Sequence, residues 1–449
     1  MIPRPNILFL MSDEHRPDVT GYEGNRVVRT PTLDSLAETG VVFRNAYTPA
    51  PICIPGRQAM MSGQFPLTCN CLRFGQDLAP GYMTFARRFA QYAYATVAAG
   101  KLHHTGTDQM QGWTQRIGSG MAMGGNFIED RDEESFQAYF RPPSFYKWSD
   151  TKEVLRAGAG RSPAMTQDEY TLAGALNYIE NHFLNPYYDR ISSHQPLLLK
   201  VSFNQPHYPY FTGEEKFTYY LNRVEPFLDQ PVFDHPFLSR RQVRPGVDAS
   251  ERELRRATAA YYGMVETIDA YYGQVLDYLA HAGQNPDDWI IIYTSDHGEM
   301  LGEHGIWEKQ KFFEASVRVP LIIRWPKGFA GGRVVGENVN LCDLFATLCD
   351  LAGIPTPQGL DSRSLAPLLN GDSANWDNET ISQFTHNGGT NVMIKRDQLK
   401  YQYYPDMPEV LFDLAANPEE TINFIDDPAY ADAVAAFRAR LGEIVVRGA

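Results

Sequence analysis

Residues 6–14 read NILFLMSDE, an apolar run followed by two carboxylates. A run this short, bounded by polar residues, is typical of a strand buried on both faces of a parallel sheet. Similar runs occupy residues 196–203, 289–295 and 320–324. We therefore expect a mainly parallel sheet at the centre of the molecule.

Helical patterns lie between these strands. The clearest covers residues 251–279, where apolar side chains recur every three or four positions until Gly283 ends the pattern. Strands that alternate with helices predict an α/β sandwich, with one large, mainly parallel sheet flanked by helices. Residues 105–165 and 204–250 show no regular pattern, and we interpret them as lids, binding loops or simple surface excursions.

The last part of the chain has a different pattern. Residues 390–404 and 411–414 indicate short strands, and residues 430–446 indicate an amphipathic helix. We therefore expect a large domain of residues 1–374 and a small C-terminal α+β subdomain of residues 375–449.

Composition excludes several classes of function. The 449 residues include 54 acidic and 40 basic side chains, which argues against a general affinity for nucleic acid or for an anionic membrane. No apolar run approaches membrane-spanning length, and no secretory signal is visible before the first strand. The five cysteines are few and odd in number, as in proteins of a reducing compartment. We therefore expect a cytoplasmic protein with neither a nucleic-acid nor a membrane partner.

Acidic residues follow two of the predicted strands. Asp13 and Glu14 come directly after the first apolar run. Asp296 and His297 follow the run at residues 289–295. Either acid alone would be interpreted as a helix N-cap. However, ligands gather beyond the carboxyl ends of parallel strands, and a hard divalent cation neutralises adjacent carboxylates, so the two ends together predict a metal site.

A further motif contains a cysteine. Residues 53–57 read CIPGR, so Pro55 stands two residues and Arg57 four residues after Cys53. With this motif the chain resembles the sulfatase family of the alkaline phosphatase superfamily, in which such a cysteine is converted into formylglycine, an aldehyde. The resemblance extends over most of the chain and includes residues 6–13, 30–34, 40–47, 100–103, 206–207, 295–303 with Lys309, and 411–414.

The resemblance implies a set of site residues. The divalent metal would be held by Asp13, Glu14, Asp296 and His297, with the modified Cys53 as a further ligand. Arg57 would hold the formylglycine in place. The residues around the sulfate of the substrate would be Lys101, His103, His207 and Lys309, with Lys311 as a rival for the last position.

The resemblance also implies an α/β fold of the alkaline-phosphatase type and a reaction. The enzyme would hydrolyse an aryl or alkyl sulfate monoester through the hydrated aldehyde at residue 53, assisted by one divalent ion. Ca²⁺ is the expected ion, with Mn²⁺ or Mg²⁺ as alternatives. His207 is the first candidate for the acid that protonates the leaving group, and Lys309 is the second. His103 would accept the proton of the second hydroxyl as sulfate is expelled.

The chain departs from the common family pattern in four places. Gly56 stands where Ser or Ala is more usual, Leu102 replaces a Trp, and Glu14 replaces Asp, Asn or Gln. His297 stands where many sulfatases have Asn, and an Asp-His pair also occurs in relatives that cleave phosphonate monoesters and phosphodiesters. That activity is an alternative. An inactive, metal-containing binding protein in which Cys53 is never modified is an alternative of another class.

The expected partners are a small-molecule sulfate ester and a formylglycine-generating enzyme that matures Cys53. A homodimer or a higher homo-oligomer would be a common assembly for a soluble protein. The aromatic segment 208–237 could stack on an aryl group or a sugar, or pack a subunit interface, so the sequence leaves the physiological substrate open.

Overall fold

A computed structural model describes residues 4–118, 149–184, 195–230, 233–386 and 389–447. Within these ranges a central sheet is formed by β1 (Ile7–Asp13), β2 (Val41–Phe43), β3 (Ala95–Gly100), β4 (Gln115–Ile117), β5 (Leu197–Pro206), β6 (Ile290–Ser295), β7 (Leu321–Arg324) and β8 (Arg333–Val335). Across the sheet the order is β8-β2-β7-β6-β1-β5-β3-β4. All neighbours are parallel except β7, which runs antiparallel to β2 and β6.

The direction of β7 corrects one prediction. Residues 320–324 were expected to form a parallel strand, whereas the structure pairs β7 with β6 in the antiparallel sense. The chain leaves β6 at the carboxyl edge of the sheet and enters β7 from the same edge. A strand that enters from that edge has to run back against its neighbours, which makes the sheet mixed but still mainly parallel.

Side chains of the central strands alternate between two hydrophobic cores. Ile7, Phe9 and Met11 face one core, and Leu8 and Leu10 face the other. All five are fully buried, which explains why the sequence of β1 is continuously apolar. The first core is covered by helices Cys53–Ser62, Phe85–Gln91 and Asp343–Leu351, and the second by Pro31–Thr39, Pro163–Phe183 and Glu251–His281. The predicted α/β sandwich is therefore confirmed.

The longest described helix, Glu251–His281, contains the segment predicted as helical from its periodicity. It begins with a capping box, in which Ser250 Oγ accepts the N–H of Glu253 and the Glu253 carboxylate accepts the N–H of Ser250 (2.7 Å). Its apolar stripe, from Leu254 to Leu279, is buried. The described parts of the chain also contain the helices Pro66–Cys69, Asp150–Arg156, Glu214–Leu221, Glu314–Val317 and Ala366–Leu369.

The two segments expected to lack regular structure contain some. Residues 105–165 include β4, the helix Asp150–Arg156 and the start of the helix Pro163–Phe183, while residues 119–148 lie outside the described part. Residues 204–250 include the end of β5 and the helix Glu214–Leu221, with residues 231–232 outside the description. These elements are short or strongly polar, so their periodicity is weak.

The C-terminal part forms a separate antiparallel sheet of β9 (Glu379–His386), β10 (Gly389–Arg396), β11 (Leu399–Tyr403) and β12 (Val410–Asp413). The helix Ala431–Arg447 follows and packs Val434 and Phe437 against this sheet. The small α+β unit is thus present, and its boundary at residue 374 stays a prediction. In none of the described ranges is a helix both long and apolar enough to span a membrane.

Two smaller pairings complete the described strands. Ala46–Tyr47 lies between Arg318–Val319 and Val339–Asn340, and Gly158–Ala159 pairs with Phe211–Thr212. The first group joins residues 46–47, which precede Cys53, to residues 318–319, which lie just before β7.

Candidate active site

The carboxyl ends of β1 and β6 meet at one edge of the central sheet. The strands are parallel neighbours, and their register aligns Ser12 with Ser295. Asp13 and Asp296 therefore lie side by side, although they stand near opposite ends of the sequence. The Asp296 carboxylate also accepts a hydrogen bond from the N–H of Glu14 (3.1 Å), which fixes the two strand ends to each other.

Cys53 is the first residue of the helix Cys53–Ser62, whose ten residues are all buried. Its Sγ lies 3.1 Å from His297 Nε2, 3.7 Å from Asp13 Oδ1 and 4.0 Å from Lys101 Nζ. Burial, followed by the Asp13 carboxylate, raises the pKa of the thiol. The side chain thus reaches the acidic strand ends from a helix N-terminus, where backbone N–H groups favour an anion.

Gly56 lies in the first turn of the same helix and packs tightly against the preceding segment. A Cβ at this position would lie 2.9 Å from the carbonyl oxygen of Ala50 and 3.2 Å from Thr48 Oγ1. Because the contact of 2.9 Å is too short for a Cβ, a larger residue here would require the backbone to shift, and glycine suits the path of this chain.

Four buried side chains offer possible metal ligands within 4.8 Å of one another: Asp13, Cys53, Asp296 and His297. A second such group combines Asp13 with Glu14 and His207. His297 Nδ1 faces the Gly298 carbonyl (3.0 Å), which leaves the Nε2 lone pair directed toward the cluster. Glu14 Oε1 is buried and has no hydrogen-bond partner among the described residues. This oxygen-rich donor set fits a hard divalent cation.

Arg57 joins the two acidic strand ends. Its Nε donates to Asp296 Oδ2 (2.7 Å) and its Nη2 to Asp13 Oδ2 (3.1 Å). Nη1 donates to the Lys101 carbonyl (2.9 Å) and to Ser202 Oγ (3.0 Å). Burial opposes ionisation of Asp13, but Lys101, with other cations including Arg57, holds its pKa well below the ordinary value. Both carboxylates are therefore held in one orientation.

Lys309 and His207 form a second part of the site. Lys309 Nζ lies 2.7 Å from Glu14 Oε2 and 2.8 Å from His207 Nε2. The other ring nitrogen of His207 faces the Tyr208 carbonyl (2.6 Å), so Nε2 is the acceptor and Lys309 the donor. Burial disfavours the charge on Lys309, yet Glu14, together with other anionic groups, raises its pKa well above the ordinary value. Burial, followed by Lys309, lowers the pKa of His207.

Lys311, the rival candidate, contacts a different part of the structure. Its ammonium group donates to the Phe237 carbonyl (2.5 Å) and lies 4.2 Å from the centre of the Phe237 ring. Lys309 is therefore the lysine that contacts Glu14 and His207 in the described structure.

His103 follows the carboxyl end of β3 and is buried. Neither ring nitrogen has a hydrogen-bond partner among the described residues, and the ring packs edge-on against Phe74. Burial, followed by Lys101, lowers the pKa of His103 well below its ordinary value. Its backbone is left-handed (φ 61°), as is that of Glu14 (φ 65°), a conformation that costs about 1–2 kcal/mol in a non-glycine residue. Strain of this kind is concentrated at functional sites.

Several supporting residues are absent from the sequence prediction. Glu299 accepts hydrogen bonds from the N–H groups of Leu301 (2.7 Å) and Glu308 (2.6 Å), and so shapes the segment that ends at Lys309. Asp168 accepts the N–H of Asn204 (2.7 Å) near the end of β5, three residues before His207. Glu299 lies inside the 295–303 motif, which is a signal that could have identified it, whereas nothing in the sequence around Asp168 indicates its role.

The fold is shared with solved structures. The phosphonate monoester hydrolase of Agrobacterium radiobacter superposes with a TM-score of 0.79 at 22% identity, covering 99% of this chain and 96% of that protein. A second solved protein, in complex with its substrate D-glucosamine-2-N,6-O-disulfate, superposes with a TM-score of 0.77 at 20% identity. The match covers 99% of this chain and 98% of that protein. These likenesses define the class of fold, the alkaline-phosphatase-like sandwich.

The family follows from sequence comparison. Residues 5–354 match the sulfatase family, and residues 302–447 match the family described as N-sulphoglucosamine sulphohydrolase, C-terminal. The choline-sulfatase of Rhizobium meliloti (strain 1021) is 30% identical, over 95% of this chain and 83% of the relative. Arylsulfatase K of Gallus gallus is 30% identical, over 94% of this chain and 79% of the relative. The chain belongs to the sulfatase family, whose members are sulfuric ester hydrolases.

Proposed function

We propose that this enzyme hydrolyses an aryl or alkyl sulfate monoester through formylglycine formed from Cys53 and one divalent cation. The observation that carries the proposal is the position of Cys53 Sγ, between His297 Nε2 (3.1 Å) and Lys101 Nζ (4.0 Å) beside the Asp13 carboxylate. Relatives named choline-sulfatase and arylsulfatase K support the sulfate ester as the class of substrate.

Asp13, Asp296 and His297 would hold the cation, with Glu14 and the modified residue 53 as further ligands. Carboxylate-rich sites favour Ca²⁺, while Mn²⁺ and Mg²⁺ are the alternatives. When bound, the cation would neutralise the crowded carboxylates and lower the pKa of a hydroxyl group at residue 53. Arg57, which contacts both Asp13 and Asp296, would keep the two carboxylates oriented without the cation.

Residue 53 would supply the nucleophile. Oxidised to formylglycine and hydrated, it would offer one hydroxyl to attack sulfur and a second to release sulfate. Lys101 contacts Asp13 and lies near residue 53, where its ammonium group would attract the negatively charged oxygens of the substrate. The N-terminus of the helix Cys53–Ser62 would add backbone N–H groups to that attraction.

The leaving group requires a proton. On sequence grounds His207 is the first candidate, but the contacts of its ring favour Lys309: His207 Nδ1 faces the Tyr208 carbonyl (2.6 Å), so its Nε2 accepts the proton of Lys309 Nζ (2.8 Å). We therefore propose Lys309 as the donor to the departing oxygen, with His207 holding it in position. His103 would accept the proton of the second hydroxyl, because both of its ring nitrogens lack partners among the described residues and burial, followed by Lys101, lowers the pKa of the ring.

Lys309→Met should have an effect that depends on the leaving group. We expect a loss in kcat/KM of about 10²–10⁴-fold for a simple alkyl sulfate, and a much smaller loss for 4-nitrophenyl sulfate, whose phenolate leaves without a proton. Lys327→Met is the control, because Lys327 is exposed and pairs with Asp288. Equal losses for both substrates would instead assign Lys309 to sulfate binding. If His207→Gln, and not Lys309→Met, lost more activity toward the alkyl sulfate than toward 4-nitrophenyl sulfate, the donor would be His207.

Phosphonate monoester or phosphodiester hydrolysis is the second candidate function. The observation in its favour is His297 beside Asp296, where many sulfatases have Asn. We expect a higher kcat/KM for phenyl sulfate than for phenyl phenylphosphonate, measured on the same metal-loaded, matured preparation. A large preference for the phosphonate would overturn the proposed function in favour of the second candidate.

Maturation decides between the enzyme and an inactive binding protein. A formylglycine-generating enzyme would act on Cys53, and mass spectrometry of the peptide around residue 53 from the native source should show the aldehyde or its hydrate. An unmodified thiol throughout would support the inactive alternative.

The five cysteines are all unpaired, which fits the proposed cytoplasmic location. A homo-oligomer is also part of this proposal.

A further inference from the structure

A small cavity adjoins Lys309. Four of the side chains that line it are cationic, namely Arg240, Arg241, Lys309 and Lys311, and none of the described residues that line it is acidic. Because Lys309 also contacts Glu14 and His207, it belongs both to this cavity and to the candidate active site.

Two of these four cations already have carboxylate partners. Lys309 pairs with Glu14 (2.7 Å), and Arg241 forms a two-pronged contact with Asp150 (2.6 and 2.8 Å). Their positive charges are therefore partly neutralised. The other two cations have no such partner among the described residues and are left to attract an anion.

Lys311 and Arg240 make no ion pair with a carboxylate anywhere in the described ranges of the chain. Lys311 is only 4% exposed, and its ammonium group contacts the carbonyl oxygen and the ring of Phe237. A buried ammonium group without a counter-ion is costly. Burial, followed by repulsion from Arg241 and Arg240, lowers the pKa of Lys311 to about 7, although the Asp150 carboxylate acts in the opposite direction. An anion in the cavity would remove that repulsion and restore the charge.

We propose that this cavity is a subsite for a second anionic group of the substrate, a carboxylate or a sulfate, held by Lys311 and Arg240. The substrate part rests on the proposed function, since Lys309 would contact the reacting ester while its neighbours contact the second anion. The substrate class that follows is a sulfate ester that carries a second anionic group.

The test uses sulfonates, which resemble sulfate esters but are not hydrolysed. Calorimetry on the full-length protein would compare benzenesulfonate with the 1,2-, 1,3- and 1,4-benzenedisulfonates. We expect at least one disulfonate to bind about tenfold or more tightly than benzenesulfonate. Lys311→Met and Arg240→Met should each remove most of that preference. Arg244→Met should retain it, because Arg244 is exposed, pairs with Asp248 and does not line the cavity.

Equal affinity of the wild-type protein for one and two sulfonate groups would overturn the proposal. A second outcome would also overturn it: free inorganic sulfate binds in a way that depends on Lys311, and the protein shows no preference for a disulfonate. The cavity would then bind a free anion and not a group of the substrate. Arg240→Met keeps the test decisive if Lys311→Met fails to fold. Since sulfonates need no turnover, an inactive protein that prefers the disulfonate would refute only the proposed function. An active enzyme without the preference would refute only the subsite.

Discussion

Replacement of Cys53 by alanine is expected to reduce kcat for sulfate ester hydrolysis by about 10⁴-fold or more. The side chain at residue 53 is the proposed source of the nucleophile, and alanine offers neither an aldehyde nor a hydroxyl group. The loss is chemical, so the fold should remain. The measurement is kcat with 4-nitrophenyl sulfate on metal-loaded protein produced together with a formylglycine-generating enzyme, alongside thermal unfolding of each variant.

Cys349→Ala is the matched control for this substitution. Cys349 is also a fully buried, unpaired cysteine, but it lies in the helix Asp343–Leu351 that covers the hydrophobic core. Its replacement should affect stability while leaving kcat close to the wild-type value. Cys53→Ser should be nearly as inactive as Cys53→Ala, unless the host also oxidises serine. Turnover retained by Cys53→Ala would rule out residue 53 as the nucleophile.

The sequence predicts best those elements whose side chains have the same environment along their whole length. The strand β1 is buried on both faces, so its apolar run and acidic end are visible without any tertiary information. The strand β3 (Ala95–Gly100) is equally buried, but its small residues ATVAAG give no strand signal. The antiparallel direction of β7 depends on where the chain re-enters the sheet, which local sequence does not encode.

In the candidate site, too, some features can be predicted from the sequence and others cannot. Asp13 and Asp296 could be placed together from the sequence because both follow buried strands that end at one edge of a sheet. The hydrogen bonds of Arg57 to both carboxylates, and the proton arrangement between Lys309 and His207, depend on distances that no spacing in the sequence specifies. Asp168 contacts the end of β5, just before His207, from a helix that lies earlier in the sequence, so only the folded structure connects the two.

Removal of the cation is expected to lower kcat/KM by about 10³-fold or more, because several kcal/mol of charge stabilisation at the reacting group would be lost. After treatment with a chelator, addition of Ca²⁺, Mn²⁺ or Mg²⁺ in separate samples would identify the ion that restores activity. The same ion should raise the Tm of the apoprotein, since a ligand that binds only the folded state stabilises it. Activity unchanged by complete metal removal, verified by elemental analysis, would contradict the metal assignment.

Asp13→Asn tests the ligand set while keeping the contacts of Asp13 with Lys101 and Arg57. One carboxylate oxygen of Asp13 faces Lys101 and Arg57, and the amide oxygen of asparagine can keep both contacts. The amide nitrogen would then occupy the position of Oδ1, toward Cys53 and His297, where it cannot act as a ligand. We therefore expect a folded variant that lacks both activity and the metal-dependent rise in Tm. Asp269→Asn is the control, since that buried carboxylate instead accepts N–H groups at the start of the helix Pro31–Thr39. A metal-dependent rise in Tm that persists in Asp13→Asn would place the cation elsewhere.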